Sequence, residues 1–485
     1  MLHIPLLRWG RPYKSLSVAV INDHRNGKPL AEVSQANSGL LVHDMNAAEA
    51  RRNPLADIRF AELVQICKRA GRILLEDVLP VGDEKHSFDE FLRHLSLTTG
   101  QAMALARRSV ERVAWVLGNV EEVLAGLSRG LDMSVLDGGV TRQNGRTVSY
   151  FPEARFLGAI LPSNSPGVHQ LWAPAIAMKM PLLLKAGREE PWTPYRVIQA
   201  FIKAGAPPEA FGFYPTDHAG SGEILRKAGR SLLFGDGATT RPYLNNPAVE
   251  IHGPGYSKVI FGPDCAEIWS DFVDVTVESI FSNGGRSCIN CSAVWTPAHH
   301  EEIADALARK LAGVQARSYD DPEASIAAFN NPKMAEMMDR QIEVALHTPG
   351  AEDVTAKYRK GPRLVRHDGC TFLLPTIIRV DDHEHPLLNK EYLFPFASVV
   401  KAPVEETLHK IGPTLTVTLL TRDEKVIADY MGCRHINGLK VGPIPTSRIF
   451  WDQPFEGNMF EHLYTQRNFV QSPEYANVRQ SASPA

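Results

Sequence analysis

The residues Asn283-Gly284-Gly285 lead towards a cysteine, Cys288, and this pattern carries the most chemical information in the sequence. A cysteine attacks a carbonyl carbon as its thiolate, so a catalytic thiol must be partly exposed and must lie beside donors that stabilise the oxyanion formed on attack. Consecutive glycines permit this close approach because they have no side chain and tolerate unusual backbone angles. The pattern therefore predicts a nucleophile at Cys288. A buried structural cysteine after a turn is the alternative.

Cys288 and Cys291 also form a C-x-x-C pair, a spacing found in redox pairs and in half of a zinc site. No second such pair and no closely spaced histidine pair completes a tetrahedral site, so we expect no metal. A regulatory disulfide is a further possibility, because redox sensors place a resolving thiol beside a low-pKa thiol. We favour a simple packing role for Cys291.

The overall composition is that of an ordinary globular protein, with 44% hydrophobic and 22% charged residues. The 52 lysines and arginines nearly balance the 55 aspartates and glutamates, so no basic surface is predicted for a nucleic acid or a membrane. No stretch reaches the roughly 20 uninterrupted apolar residues that span a bilayer. We therefore expect a small-molecule substrate, with no nucleic-acid and no membrane partner.

The length of 485 residues exceeds that of one ordinary core and predicts two or three packed units. The six cysteines show no disulfide framework, which favours a reducing compartment. The N-terminal apolar run is too short for a signal peptide and is interrupted by Pro5. We expect a cytoplasmic protein.

Helical periodicity dominates from about residue 46 to residue 127, for example in segments 60–67 and 110–117. The pattern changes at 133–150, where Asn144-Gly145 predicts a tight turn between two strands. Because an isolated hairpin is only marginally stable, we expect it to form an oligomerisation flap.

Strands and helices alternate after residue 150. The sequence predicts strands at 156–161, 181–185 and 231–235, and helices at 171–179 and 193–204. This rhythm is typical of an α/β protein with a parallel sheet and crossover helices, which binds ligands at the carboxyl ends of its strands.

Six motifs occur in the order and spacing of the aldehyde dehydrogenase superfamily, and the resemblance covers about residues 40–475. These motifs are Leu161-Pro162-Ser163-Asn164-Ser165-Pro166, Leu184-Lys185-Ala186-Gly187-Arg188-Glu189-Glu190-Pro191, Phe234-Gly235-Asp236, the Asn-Gly-Gly run into Cys288, Lys390-Glu391-Tyr392-Leu393-Phe394-Pro395 and Pro454-Phe455-Glu456-Gly457. The resemblance implies a Rossmann-type cofactor domain, an α/β catalytic domain and a small β oligomerisation flap. The expected boundaries are 1–132 with 151–257, then 258–452, and 133–150 with 453–485, respectively.

The resemblance also implies a mechanism. Cys288 would attack an aldehyde to give a thiohemiacetal, whose oxyanion is held by the Asn164 amide and the backbone N–H of Cys288. Hydride transfer to a nicotinamide would then leave a thioester, with the cofactor carrying the redox step.

The cofactor residues are likewise implied by the resemblance. Lys185 matches the lysine at the adenosine ribose, Gly235 and Asp236 match the turn and helix start near the pyrophosphate, and Glu391 matches the carboxylate at the nicotinamide ribose. Ser163 and Phe394 belong to the same expected set.

Arg188 departs from the family pattern, because it falls where the family has a ribose-binding glutamate. An arginine there can pair with a 2′-phosphate, so we expect NAD or NADP and favour NADP.

The second departure concerns the general base, because Ile251 falls on the family's base position. Glu250, with a shifted register, or His252 could serve instead, and both could also merely flank a strand. The box His252-Gly253-Pro254-Gly255 also resembles that of acyl reductases, which need no hydrolytic base.

Three functions therefore remain open. The first is aldehyde oxidation with hydrolysis of the thioester, which we place ahead because it is the commoner activity of the fold. The second is acylating chemistry with coenzyme A as acyl acceptor, or reduction of an activated acyl donor. The third is a catalytically inactive binding protein of the same fold.

The C-terminal segment 460–470 alternates in character and resembles the family's last strand. In the family this strand pairs with a neighbouring subunit, which implies a homodimer or a dimer of dimers. We expect the polar tail from Ser472 onward to be disordered at its end.

Overall fold

The computed structural model describes residues 1–472 and Glu474. We expect disorder at the end of the tail that starts at Ser472, and that end lies outside the described residues. The strands are β1 (Leu2–Ile4), β2 (Leu6–Arg8), β3 (Arg11–Tyr13), β4 (Val18–Asn22), β5 (Pro29–Ser34), β6 (Leu79–Val81), β7 (Glu84–His86), β8 (Val140–Gln143), β9 (Arg146–Pro152), β10 (Leu157–Ile160), β11 (Leu182–Lys185), β12 (Phe211–Phe213), β13 (Arg230–Phe234), β14 (Val249–His252), β15 (Lys258–Phe261), β16 (Ala293–Thr296), β17 (Ala351–Asp353), β18 (Leu364–His367), β19 (Cys370–Leu373), β20 (Thr376–Val380), β21 (Phe396–Lys401), β22 (Thr414–Leu420), β23 (Ile436–Val441) and β24 (Tyr464–Arg467).

The α-helices are α1 (Ser38–Glu49), α2 (Phe60–Glu76), α3 (Phe88–Thr99), α4 (Met103–Gly118), α5 (Val120–Leu127), α6 (Val135–Gly138), α7 (Trp192–Lys203), α8 (His218–Lys227), α9 (Gly237–Thr240), α10 (Pro263–Ala266), α11 (Val273–Phe281), α12 (His300–Leu311), α13 (Pro332–Leu346), α14 (Val404–Lys410), α15 (Glu424–Met431) and α16 (Met459–Leu463). Within the described part of the chain, none of them is both long and apolar enough to cross a membrane.

The first large sheet has seven strands in the order β14-β13-β10-β11-β12-β2-β3. Strands β10 to β14 run parallel to one another, and β2 and β3 are antiparallel additions next to β12. Leu182 and Leu184 of β11 pack against the core of α2, α4 and α7, whereas Leu183 packs on the opposite face with α1 and α8. Burial on both faces explains the uninterrupted apolar runs, and the three strands predicted here are confirmed.

The second large sheet, β17-β20-β21-β16-β15-β22-β23, also has seven strands and is parallel except for β17. Trp295 and Ile260 pack on one face with α13, α14 and α15, and Val294 packs on the other with α11 and α12. The predicted α/β fold is therefore confirmed.

The predicted hairpin is confirmed as β8 and β9. Asn144 and Gly145 both have positive φ angles, 49° and 77°, as the predicted tight turn requires. Strand β24 pairs antiparallel with β9 and completes a three-stranded sheet.

Two sequence predictions were wrong in detail. Segment 171–179 is not an α-helix. It contains the short 3₁₀ helix Ala173–Ile176 and is preceded by another, Pro166–Gln170, because a proline in each of them lacks the N–H that an α-helix needs. The C-terminal segment begins as helix α16 rather than as a strand. The Asn458 side chain accepts hydrogen bonds from two backbone N–H groups of α16 and stabilises its start.

The helical region also contains an unpredicted hairpin, β6–β7. Its turn includes Gly82 at φ 60°, where a Cβ atom would lie 1.8 Å from the carbonyl oxygen of His3. Only glycine fits this close backbone approach.

Candidate active site

A cleft of about 1020 Å³ lies at the carboxyl ends of the first sheet. Parallel strands end at the same edge, so the segments that follow β10, β11, β13 and β14 meet there. The cleft brings together most of the predicted site residues, namely Ser163, Asn164, Arg188, Gly235, Asp236, His252, Cys288 and Glu391. It does not bring Lys185, Glu250 or Phe394 to its wall.

The turn before the cysteine is left-handed over three residues, with φ angles of 53° at Asn283, 64° at Gly284 and 71° at Gly285. The carboxamide of Asn283 stabilises this conformation. Its oxygen accepts from Gln101 Nε2 at 3.2 Å and from Ser109 Oγ at 3.3 Å. Asparagine tolerates left-handed backbone better than most residues, which explains the Asn-Gly-Gly sequence at this position.

A second contact fixes the turn from the opposite side. A Cβ atom on Gly285 would lie 2.3 Å from the backbone nitrogen of Pro395. The glycine therefore allows the segment that contains Glu391 to approach the segment that contains Cys288.

Arg286 lies buried beneath this turn, with hydrogen bonds to the carbonyl oxygens of Thr99 and Ala328 and with its guanidinium over the ring of Phe329. Burial lowers the pKa of Arg286 to about 10. Sequence reasoning missed this residue, although a charged residue inside the motif was a visible signal.

The Cys288 side chain is half-buried and lines the cleft. Burial raises the pKa of the Cys288 thiol well above its usual value, and the carboxylates of Glu456 and Glu391 raise it further. The backbone N–H groups of Cys288 and Ile289 act in the opposite direction. A thiol in this environment needs a group that accepts its proton before it can act as a nucleophile.

The backbone of Cys288 is fixed by the segment between β14 and β15. A Cβ atom on Gly255 would lie 2.0 Å from the carbonyl oxygen of Cys288. Ser257 Oγ donates a hydrogen bond to the same oxygen at 2.9 Å. The peptide that carries the thiol is therefore closely packed.

Asn164 follows β10, and its Nδ2 donates a hydrogen bond to the carbonyl oxygen of Arg286 at 3.1 Å. The amide is thereby held within two residues of Cys288, and one of its two N–H bonds is used in this contact. Neighbouring Ser163 accepts a hydrogen bond at Oγ from the Glu189 N–H at 3.3 Å.

The remaining predicted cofactor residues occupy different environments. Arg188 is exposed at the cleft, and Asp236 caps α9 by accepting a hydrogen bond from the Thr239 N–H at 2.8 Å. This hydrogen bond lowers the pKa of Asp236. Gly235 approaches the Thr239 side chain, where a Cβ atom would lie 2.8 Å from Cγ2.

Lys185 ends β11 and is half-buried, and burial lowers its pKa. The ring of Phe394 is 3% exposed and packs between Tyr392 and Phe396 in the core of the second sheet. Neither side chain reaches the cleft wall, because one ends a buried strand and the other fills a core position.

Glu391 faces the turn between β14 and β15. Its Oε2 accepts hydrogen bonds from the N–H groups of Gly255 at 2.9 Å and Tyr256 at 2.7 Å. Burial raises the pKa of Glu391 to about 7.

His252 is buried between two carboxylates. Its Nε2 lies 3.1 Å from Glu250 Oε1, its Nδ1 contacts Glu456 Oε2, and its ring stacks on Phe234 at 4.4 Å. Burial opposes the charged form, but the carboxylates of Glu456 and Glu250 outweigh it and raise the pKa of His252 to about 10. The imidazole is therefore protonated at neutral pH and has no free basic nitrogen.

Glu456 is the functional candidate that sequence reasoning missed. It lines the cleft, its side chain is 7% exposed, and its backbone has a φ angle of 56°. The available signal was an acidic residue within the motif that also contains Gly457, but its partner His252 is 204 residues away.

Comparisons with known proteins identify the family and the fold. The family model described as "Aldehyde dehydrogenase family" matches residues 11–412. The bifunctional protein PutA of Escherichia coli strain K12 is 23% identical over an alignment of 361 residues, and the match covers 67% of this chain. The chain spans only 26% of the length of PutA.

Solved structures share the fold at low identity. An NADP-dependent enzyme of E. coli has a TM-score of 0.77 at 16% identity, with 96% of this chain and 98% of that chain covered. The NAD⁺ complex of an aldehyde dehydrogenase from Bacillus cereus has a TM-score of 0.76 at 15% identity, covering 96% and 97%. An NAD-dependent aldehyde dehydrogenase from Sinorhizobium meliloti has a TM-score of 0.76 at 15% identity, covering 96% and 94%. The chain belongs to the aldehyde dehydrogenase family, whose members are NAD(P)-dependent oxidoreductases that act on aldehydes.

Proposed function

We propose that this protein oxidises an aldehyde to a carboxylic acid through a thiohemiacetal and a thioester on Cys288. The observation that carries this proposal is the position of Cys288, which faces one cleft together with Asn164 and Glu391. The left-handed turn at 283–285 presents the thiol and leaves room for a substrate carbonyl.

The chain supplies the groups for carbon–sulfur bond formation. The sulfur attacks the carbonyl carbon, the thiol proton passes to a base, and negative charge develops on the former carbonyl oxygen. We propose that this oxygen is stabilised by the Asn164 amide, which keeps one N–H bond beyond its contact with Arg286, and by the backbone N–H of Cys288.

The residues around the cleft fit a dinucleotide. Glu391 uses Oε2 for the backbone of the neighbouring turn, and its Oε1 has no hydrogen-bond partner within residues 1–472, so it remains available to a ribose hydroxyl. A nicotinamide would accept the hydride that leaves the thiohemiacetal carbon. We assign Ser163, Gly235 and Asp236 to the phosphate and ribose end of the same site.

We further propose that NADP is preferred to NAD. Arg188 is exposed at the cleft, and no carboxylate pairs with it among the ion pairs of the described chain. A guanidinium in this position can bind a 2′-phosphate through two hydrogen bonds.

The larger organisation is proposed on the same basis. We assign residues 1–132 and 151–257 to cofactor binding, 258–452 to catalysis, and 133–150 with 453–485 to oligomerisation in a homodimer or a dimer of dimers. The three-stranded sheet of β8, β9 and β24 supports the last assignment, because it lies outside both large sheets. A cytoplasmic location remains a proposal from cysteine usage.

Acylating chemistry is the second candidate, and the observation that favours it is Ile251 at the family's base position. In that case coenzyme A, rather than water, would accept the acyl group. Product analysis with and without coenzyme A, after incubation with propanal or benzaldehyde and either dinucleotide, distinguishes a free acid from an acyl thioester.

The proposed nucleophile is tested by Cys288→Ser. We expect this variant to lose formation of reduced nicotinamide with the same aldehydes by at least about 10³-fold, while dinucleotide affinity stays within about twofold, because a serine hydroxyl is a much weaker nucleophile at neutral pH. Cys291→Ser is the matched control and is expected to retain activity. Retained activity in Cys288→Ser would refute the assignment.

A further inference from the structure

We propose that Glu456 is the general base that activates water for hydrolysis of the Cys288 thioester, and that His252 positions it. This inference rests on the proposed function, because it concerns the fate of the acyl group on Cys288. It assigns catalysis to a carboxylate that replaces the one missing at residue 251.

The position of Glu456 distinguishes it from Glu250, the other carboxylate that contacts His252. Glu456 lines the cleft together with Cys288, and its charge acts on the Cys288 thiol. Glu250 does not line the cleft and lies on the other side of the His252 ring, against Gly457. Of the two carboxylates at His252, Glu456 is therefore the one on the side where the thioester forms.

The hydrogen bonds of Glu456 leave one oxygen available. Oε2 contacts Nδ1 of His252, whereas Oε1 has no hydrogen-bond partner among the described residues. Protonated His252 donates through Nδ1 to Glu456 and through Nε2 to Glu250. Oε2 is thus engaged by His252, and Oε1 is the oxygen of this cleft-lining carboxylate that is left to contact a water molecule.

The backbone at Glu456 is held in a conformation that glycine would adopt more easily, with a φ angle of 56°. The Glu456 N–H donates to Asn437 Oδ1 at 3.2 Å, and the Phe455 N–H donates to the Gly457 carbonyl at 3.0 Å. A Cβ atom on Gly457 would lie 2.2 Å from Glu250 Oε2. The loop is thus fixed at both sides of the carboxylate.

Ile251 cannot take this role. Its side chain is partly buried and packs against the core cluster that contains Leu233 and Val249, and it does not line the cleft. Because side chains alternate along a strand, His252 points away from that cluster and Ile251 points into it.

The proposed step is balanced. Oε1 of Glu456 takes one proton from water as the water oxygen attacks the thioester carbonyl carbon. The carbon–sulfur bond then breaks and the acid is released, and the proton held by Glu456 passes to the leaving sulfur, which restores the free thiol and the carboxylate. No oxidant or reductant is needed.

The test uses p-nitrophenyl acetate, which acetylates a thiol without hydride transfer and therefore needs neither the natural aldehyde nor a dinucleotide. We expect the wild type to release p-nitrophenolate continuously and Glu456→Gln to release about one equivalent. After this first equivalent, the steady-state rate of p-nitrophenolate release by Glu456→Gln should be about 10²-fold to 10⁴-fold lower than that of the wild type. Mass spectrometry should then find an acetyl group on the peptide that contains Cys288.

Glu456→Gly repeats the test in a residue that suits the positive φ angle, in case glutamine disturbs folding. Glu461→Gln, an exposed carboxylate paired with Arg129, is the matched control and should leave both phases unchanged. We expect Glu250→Gln to slow the steady state less than tenfold.

Each other outcome is decisive. If Glu250→Gln accumulates acetyl-enzyme and Glu456→Gln does not, Glu250 is the base and the inference is wrong. The inference is also overturned if Glu456→Gln and Glu456→Gly keep the wild-type steady-state rate of p-nitrophenolate release. It is likewise overturned if both variants fail to release the first equivalent of p-nitrophenolate. Unchanged release by Cys288→Ser would instead refute the nucleophile and hence the proposed function.

Discussion

Replacement of Gly255 by alanine tests whether close backbone packing positions the Cys288 thiol. Gly255 lies between β14 and β15, and its N–H donates to Glu391. An added Cβ atom would lie 2.0 Å from the carbonyl oxygen of Cys288 and 2.8 Å from its carbonyl carbon. Both atoms are backbone, so no flexible side chain can move aside.

The required displacement follows from these distances. Ordinary van der Waals contact begins at 3.4 Å, so the two segments must separate by about 1.4 Å, the difference between 3.4 Å and 2.0 Å. A misplacement of about 1 Å can cost about 10²-fold in rate. Overpacking of this kind also lowers the free energy of unfolding by about 1–3 kcal/mol.

Gly253→Ala is the matched control, because it adds the same methyl group two residues away. There the nearest atom outside the adjacent residues lies 3.8 Å from the added Cβ, which is ordinary contact. We expect Gly255→Ala to lose about 10²-fold in the rate of acetylation by p-nitrophenyl acetate, whereas Gly253→Ala stays within about threefold of the wild type.

The assay is stopped-flow release of p-nitrophenolate, with circular dichroism to confirm that both variants are folded and fluorescence quenching to measure dinucleotide binding. If a folded Gly255→Ala reacts as fast as Gly253→Ala, the packing of Gly255 on the Cys288 peptide does not position the thiol. The reasoning would then be refuted.

Two further predictions concern the cofactor side of the cleft. Arg188→Ser should weaken NADP binding by about 10-fold to 100-fold and leave NAD binding nearly unchanged, measured by fluorescence titration, because only NADP carries a 2′-phosphate; equal losses for both would contradict the assignment. Burial raises the pKa of Glu391 from 4.5 to about 7, so its contribution to stability is fully present below 4.5 and is lost as the pH rises through 7. Lys258 and Glu456 are the other charged groups that act on Glu391. As the pH rises from 4.5 to about 7, the urea midpoint of Glu391→Gln should therefore fall less than that of the wild type. If the two midpoints change in parallel with pH, the pKa of Glu391 is not raised and the prediction is wrong.

Local patterns in the sequence were sufficient to predict much of the fold. The apolar runs at 157–160 and 182–184 predict buried parallel strands because both of their faces are covered. Asn144-Gly145 predicts its turn because both residues accept positive φ angles. By contrast, segment 171–179 has a helix-like apolar pattern but forms 3₁₀ turns, since proline removes backbone donors.

The lining of the candidate cleft was predicted only in part. Cys288, Asn164 and Glu391 occur in short motifs whose order along the chain indicates one cleft, and the structure places them there. Phe394 also occurs in a motif, yet its ring fills the core beside Tyr392. A sequence motif identifies the segment but does not determine which way each side chain points.

The α/β architecture, the hairpin and the segment that carries the candidate nucleophile could be predicted from the amino-acid sequence, because these features depend on periodicity, turn residues and neighbours along the chain. The position of His252 between Glu250 and Glu456 depends instead on contacts between distant parts of the chain. The register of β14 selects the face on which His252 lies, and a residue 204 positions later supplies the second carboxylate. Charge interactions depend on distance in space, so no local pattern could show that two carboxylates raise the pKa of this histidine.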